Sequence, residues 1–120
     1  MIEIIAGKKF QEDVFYYFKK KRYTMIRHDI TPVICALEQG NFIGNKLDNL
    51  NLSCGDVYKV RIANSSTKEG KSNGFRLLYY AVLDNKVYLL TIYSKKDDVR
   101  IPNDAQIATL ARNLLTNPSP

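Results

Sequence analysis

The chain has 120 residues, 45% hydrophobic and 25% charged, with 18 Lys and Arg against 12 Asp and Glu, a formal charge of +6 and a pI near 9.3. That length suits one domain over residues 1–120, burying roughly two-thirds of its unfolded surface. No stretch approaches the ~20 apolar residues of a membrane span, and two cysteines are too few for a disulfide scaffold. Cys35 and Cys54 form no C-x-x-C pair and are expected to be reduced, buried thiols. The cationic surplus favours acidic partners, meaning nucleic acid, an anionic membrane or an acidic protein; of these, no membrane partner is expected. The N-terminus MIEIIAGKKF has no long apolar run and no small-residue cleavage site, so a cytoplasmic protein is expected.

Residues 2–6, IEIIA, are short and β-branched and end at Gly7, the pattern of a strand. From Lys8 the period becomes helical. Phe10, Val14, Tyr17 and Phe18 recur on one face and Phe15 widens it, with Lys9, Glu12, Asp13 and Lys20 elsewhere. The basic run at residues 19–22 suits the negative end of that helix dipole. A second helix is signalled by Thr31 as cap, Pro32 at the first helical position and Ile30 packing on Cys35 as a staple. Leu37 continues its apolar face and Gly40 stops it. The Asn- and Gly-rich segment 40–55 reads as a loop with weak strand character.

Three strands follow. VYKVRIA (57–63) alternates, with Tyr58, Val60 and Ile62 pointing one way and Lys59 and Arg61 the other. FRLLYYAVL (75–83) and VYLLTIYS (87–94) are nearly continuous apolar runs, as in strands covered on both faces, and the tight turn at 84–86 joins them as a hairpin. Tyr79 and Tyr80 lie mid-strand and are read as core. Asn103 caps a last helix with Gln106 as its capping-box partner, and Ile107, Leu110, Ala111 and Leu114 form its apolar face. The tail TNPSP (116–120) is expected to fray. The order βααβββ, closed by a short C-terminal helix, gives an α+β fold: two N-terminal helices packed on a mainly antiparallel sheet.

Common catalytic sets are missing. The one histidine, His28, lies in the basic stretch between the helices and is read as a surface residue. There is no Walker loop, G-x-S-x-G elbow or Rossmann fingerprint, and no metal cluster or cofactor is expected. Asp97 and Asp98 read as solvated turn residues. What remains is cationic. Lys59 and Arg61 share one strand face, Lys68 and Lys71 lie in the following loop, Arg76 opens the next strand, and Tyr93, Lys95 and Lys96 close the last. An antiparallel meander brings these strand ends together, so cations from three strands and a loop converge on one end of the sheet. Such a field concentrates phosphodiesters. A basic surface that only solvates the domain or binds an acidic partner is the plainer alternative.

The segments YKVRI, GKSNGFRLLYYAV and VYLLTIYSKKDD, in this order after two helices, resemble the RelE/ParE toxin superfamily of bacterial toxin–antitoxin modules. The nearer likeness is to its RelE/HigB branch, through Lys59 and Arg61; Gly70, Lys71, Gly74 and Arg76; Tyr79 and Tyr80; then Ile92, Tyr93 and Lys95. It covers residues 57–98; the first three elements and the last helix agree in order only. The resemblance implies a ribosome-dependent endoribonuclease, an mRNA interferase that enters the ribosomal A site and cuts by attack of the ribose 2′-OH without a metal. Lys59 is then the base, Arg61 and Arg76 clamp the phosphate, and Tyr93 or Lys95 stabilises or protonates the leaving group. Lys68, Lys71 and Lys96 bind RNA backbone. A cognate antitoxin, often of helix-turn-helix type, follows as partner beside the ribosome and mRNA. Where some members carry an arginine just after the last strand and a tyrosine in the following helix, this chain has Lys96, Asp97 and Asp98, and no tyrosine after Tyr93. The same superfamily includes ParE-like toxins that act on DNA gyrase, and an inactive basic module of the same fold is the third reading.

Overall fold

The change of period from two to 3.6 and back is reproduced in the computed structural model, which describes residues 1–116. Its elements are β1 (Glu3–Ala6), α1 (Lys8–Lys19), α2 (Ile26–Glu38), β2 (Asn45–Lys46), β3 (Gly55–Ile62), β4 (Phe75–Val82), β5 (Lys86–Ser94), a 3-10 turn (Asp98–Arg100) and α3 (Asp104–Thr116). The fold is α+β, as expected. One five-stranded sheet runs β1-β5-β4-β3-β2. The pairs β2–β3, β3–β4 and β4–β5 are antiparallel, and β1 lies parallel to β5 at one edge. Most of the tail, residues 117–120, lies outside the described residues.

Both sheet faces are covered, which is why β4 and β5 are apolar almost throughout. On one face Phe10, Val14 and Tyr17 of α1 and Ile26, Ile30, Val33 and Leu37 of α2 pack on Val60, Ile62, Phe75, Leu77, Tyr79 and Ile92. On the other, Ile107 and Ala111 of α3 and Leu50 of the long loop pack on Val57, Leu78, Tyr80, Leu90 and Tyr93. The α3 capping box is reciprocal: Gln106 N–H donates to Asn103 Oδ1 at 2.8 Å, and Asn103 N–H to Gln106 Oε1 at 2.9 Å.

Several expectations are corrected. Helix α2 begins at Ile26, so Pro32 lies inside it and His28 is an exposed helical residue, not part of a linker. Thr31 does not cap; its hydroxyl donates to the Arg27 carbonyl at 2.8 Å. The stripe Ile26, Ile30, Val33, Leu37 explains this. Four buried apolar side chains at about 2 kcal/mol each outweigh one interior proline at about 3 kcal/mol. Gly40 does stop the helix. At φ +83° it lets Gly40 N–H reach Leu37 O and Asn41 N–H reach Ala36 O, a Schellman closure. Ile30 is helical, so the Ile30–Cys35 staple is absent; Cys35 and Cys54 are both exposed free thiols rather than buried ones. Phe15 is 59% exposed and does not widen the core, whereas Asp13 is fully buried.

Candidate nucleic-acid interface

Strand register builds the centre of the site. Arg61 on β3 is directly opposite Arg76 on β4, and Arg76 is directly opposite Tyr93 on β5. Directly opposed residues project from the same face, so two arginines and a phenol form one row across three strands. Lys59 is two residues back along β3 and shares the face; its cross-strand partner is Leu78. Arg61 is exposed and Lys59 half-buried. Among the described residues, no carboxylate pairs with Lys59, Arg61, Lys71, Arg76 or Lys95.

Arg76 is only 5% exposed and is held by backbone oxygens. Its Nη1 donates to Lys71 O at 3.0 Å and Phe75 O at 3.2 Å, and its Nη2 to Ser72 O at 3.1 Å. Burial, then the charge of Arg61, lowers the pKa of this guanidinium, with the Tyr93 phenol opposing. Burial raises the Tyr93 phenol above its ordinary range, and Arg76 works against that shift. The arginine at the head of β4 therefore folds the loop back over the strand as well as adding charge to the row.

The loop of residues 63–74 consists of two turns. In the first, Asn64 and Glu69 exchange backbone hydrogen bonds of 2.9 and 3.0 Å, with Lys68 at φ +61° near the tip. Asp29 of α2 pins this turn by accepting from Ser65 N–H at 2.9 Å and from the Ser65 hydroxyl. Glu69 pairs with Lys96 and accepts from the Thr67 hydroxyl at 2.8 Å; Lys96 first, then Thr67, holds its carboxyl below the ordinary value. In the second turn Asn73 N–H donates to Gly70 O at 3.2 Å. Lys95 N–H donates to Gly74 O at 2.9 Å, which brings Lys95 to the same mouth.

The candidate residues thus divide. Arg61, Arg76 and Tyr93 are brought together, Lys59 stands one step along, and Lys71 and Lys95 flank them through their backbones. Lys96 is neutralised by Glu69. Lys68 is exposed at the loop tip. Tyr79 and Tyr80 are buried core residues, as expected.

Sequence reasoning missed a second polar cluster. Asp13 accepts from Lys9 Nζ at 2.5 Å, Arg100 Nη2 at 2.9 Å, Ile92 N–H at 3.2 Å and the Thr91 hydroxyl. The Arg100 guanidinium lies 3.8 Å from the Tyr16 ring centroid. Asp97, expected to be solvated, accepts from the Tyr17 hydroxyl at 3.2 Å. The signal was present: Phe10, Asp13, Val14 and Tyr17 stand at i, i+3, i+4 and i+7, the positions of one helix face. A cleft of about 730 Å³ beside this cluster, between α1 and residues 99–110, contains none of the candidate cations.

No protein-family model matches the chain, and no curated protein matches it. Among the described residues, no group of three or more His, Cys, Asp or Glu is placed to hold a metal ion. No described helix is long and apolar enough to cross a membrane.

Proposed function

We propose that this chain is the toxin of a type II toxin–antitoxin module of the RelE/HigB kind, a ribosome-dependent endoribonuclease that cuts mRNA in the A site and works in the cytoplasm. The observation that carries the proposal is the Arg61–Arg76 pair, directly opposed across two strands, with no carboxylate paired to either among the described residues. Like charges in that position destabilise a sheet. An anion held at the exposed Arg61 offsets the repulsion and turns it into binding, and a phosphodiester is the anion such a field collects.

In this reading Arg61, being exposed, takes the scissile phosphate, while Arg76 adds charge from behind and holds the Lys71–Ser72 backbone in place. Lys59 removes the 2′-OH proton. The 2′-oxygen attacks phosphorus, the bond to the 5′-oxygen breaks, and Lys95 or Tyr93 returns a proton to that oxygen. The products are a 2′,3′-cyclic phosphate and a 5′-hydroxyl. Arginines aimed at the charge developing on the phosphorane supply the electrostatic part of the rate, and the ribosome supplies orientation of the message. An antitoxin with acidic segments is the expected neutralising partner.

Mapping of mRNA 5′ ends after brief induction tests this, comparing wild type with Arg61→Ala. Cuts inside translated regions that vanish in the variant are expected. Growth arrest with intact messages would overturn the nuclease and leave the gyrase-directed reading; no arrest and no cuts would leave a basic binding module.

A further inference from the structure

Strand β5 outruns its neighbour. The parallel pairing with β1 ends at Ala6 opposite Leu89, yet β5 continues to Ser94 and carries Tyr93 on that extension. A register shift opposite Leu78 and Tyr79, with Leu78 pairing to Thr91 and Tyr79 to Leu89, leaves Leu90 without a cross-strand partner. An unpaired edge next to a candidate site needs something else to take its N–H groups.

Helix α1 takes them. Asp13 Oδ2 accepts from Ile92 N–H at 3.2 Å and from the Thr91 hydroxyl. The Tyr17 hydroxyl accepts from Ser94 N–H at 2.9 Å and donates to Asp97 Oδ2 at 3.2 Å. The spacing is geometric. Four residues of helix rise about 6 Å and two residues of strand about 6.6 Å, so side chains at i and i+4 of α1 meet alternate N–H groups of β5. Tyr93 stands between the two anchored amides and faces the other way, opposite Arg76.

We infer that Asp13 and Tyr17 are positioning residues: they act as a surrogate strand that fixes the 92–96 end of β5 and so sets Tyr93 and Lys95 against the arginine row. Their effect on cleavage rests on the ribonuclease reading; their effect on the strand does not. Neither touches the proposed RNA path. Asp13 also balances Lys9 and Arg100, so its loss is expected to compromise folding, and the informative variant is Tyr17→Phe. That change keeps the ring that packs against Tyr16, Tyr23 and Phe75 and removes only the hydroxyl. Thr91→Val is the second variant, removing one donor to Asp13.

The experiment measures amide hydrogen exchange, binding of a short single-stranded RNA, and single-turnover cleavage on programmed ribosomes for wild type and both variants. In Tyr17→Phe the Ser94 amide is expected to exchange about tenfold faster, the typical effect of one hydrogen bond, with Leu77 and Leu78 unchanged. Cleavage is expected to fall at least about tenfold, as for a misplaced catalytic group, while RNA affinity stays within about twofold because Arg61 and Lys59 are undisturbed. Thr91→Val is expected to show the same pattern more weakly, centred on Ile92. Unchanged protection at Ser94, cleavage at the wild-type rate, or parallel loss of binding, cleavage and global stability would each overturn the inference. Wild-type protein that leaves message intact would overturn the ribonuclease reading instead, and the exchange data alone would then decide whether α1 holds the strand.

Discussion

Arg61 and Arg76 stand opposite one another with the same charge and with different surroundings, so substitution should read differently at each. Arg76 is buried and its fork serves three carbonyls. Arg76→Lys keeps the charge but offers a compact ammonium in place of the planar fork. With carbonyls left unpaired, it should lower unfolding stability by about 1–3 kcal/mol. Arg61 is exposed and lacks a carboxylate partner among the described residues. Arg61→Ala removes a like charge from a directly opposed pair, worth about 0.2–1 kcal/mol, so stability should hold or rise slightly. Its cost should appear in RNA affinity, with the slope of log K against log salt shallower by about 0.7 for a single strand. Urea unfolding and salt-dependent binding of both variants check this. Equal destabilisation by the two changes would place Arg61 among the structural residues.

At the scale of elements, the loop of residues 63–74 contains two glycines that the sequence presents alike and the fold treats differently. A Cβ on Gly74 would run into the Ile62 carbonyl oxygen where β3 and β4 meet, while one on Gly70 meets nothing within 4 Å. Gly74→Ala should therefore cost about 1–3 kcal/mol as an overpacked position. Gly70→Ala should be neutral or stabilising by a few tenths of a kcal/mol, since it restricts the unfolded chain. Thermal unfolding of the pair decides it. The contrast marks the limit of legibility in a sequence. Strand alternation at Tyr58, Val60 and Ile62, the capping box at Asn103 and the stop at Gly40 are local signals, and they are correctly readable. The start of α2 is not, because burial of Ile26 and Ile30 overrides the local preference of Thr31 and Pro32. Asp13 was passed over for a similar reason. A carboxylate within an apolar stripe reads as solvent-facing until β5 and Arg100 supply its partners from far along the chain.

The whole molecule shows why the site was partly legible. Element order alone brings the end of β3, the start of β4 and the end of β5 to one mouth, so the cationic row follows from an antiparallel meander. Which cations stay free depends on partners that order does not reveal, such as Glu69 on Lys96 and the loop carbonyls on Arg76. The sheet that carries the row also buries Tyr17, Tyr79, Tyr80 and Tyr93, and burial is the first cause raising each phenol above its ordinary value. The sign of the linkage follows. A folded-state pKa above the unfolded one, about 10, leaves stability intact below that pH; above it, stability is lost as only unfolded chains release the protons. Each phenol contributes a slope of about 1.4 kcal/mol per pH unit once its unfolded counterpart is ionised. Tyr17 and Tyr79, the two with large shifts, together approach about 3 kcal/mol per unit, against a typical total of about 5–15 kcal/mol. The urea midpoint should thus stay level up to about pH 9.5 and fall steeply over about two units above pH 10. Phenolate absorbance should show at least two of the eight tyrosines ionising only as the chain unfolds. A midpoint that holds steady to about pH 11.5 would mean that these phenols release their protons within the folded sheet, and the packing of both cores around β4 and β5 would have to be looser than described.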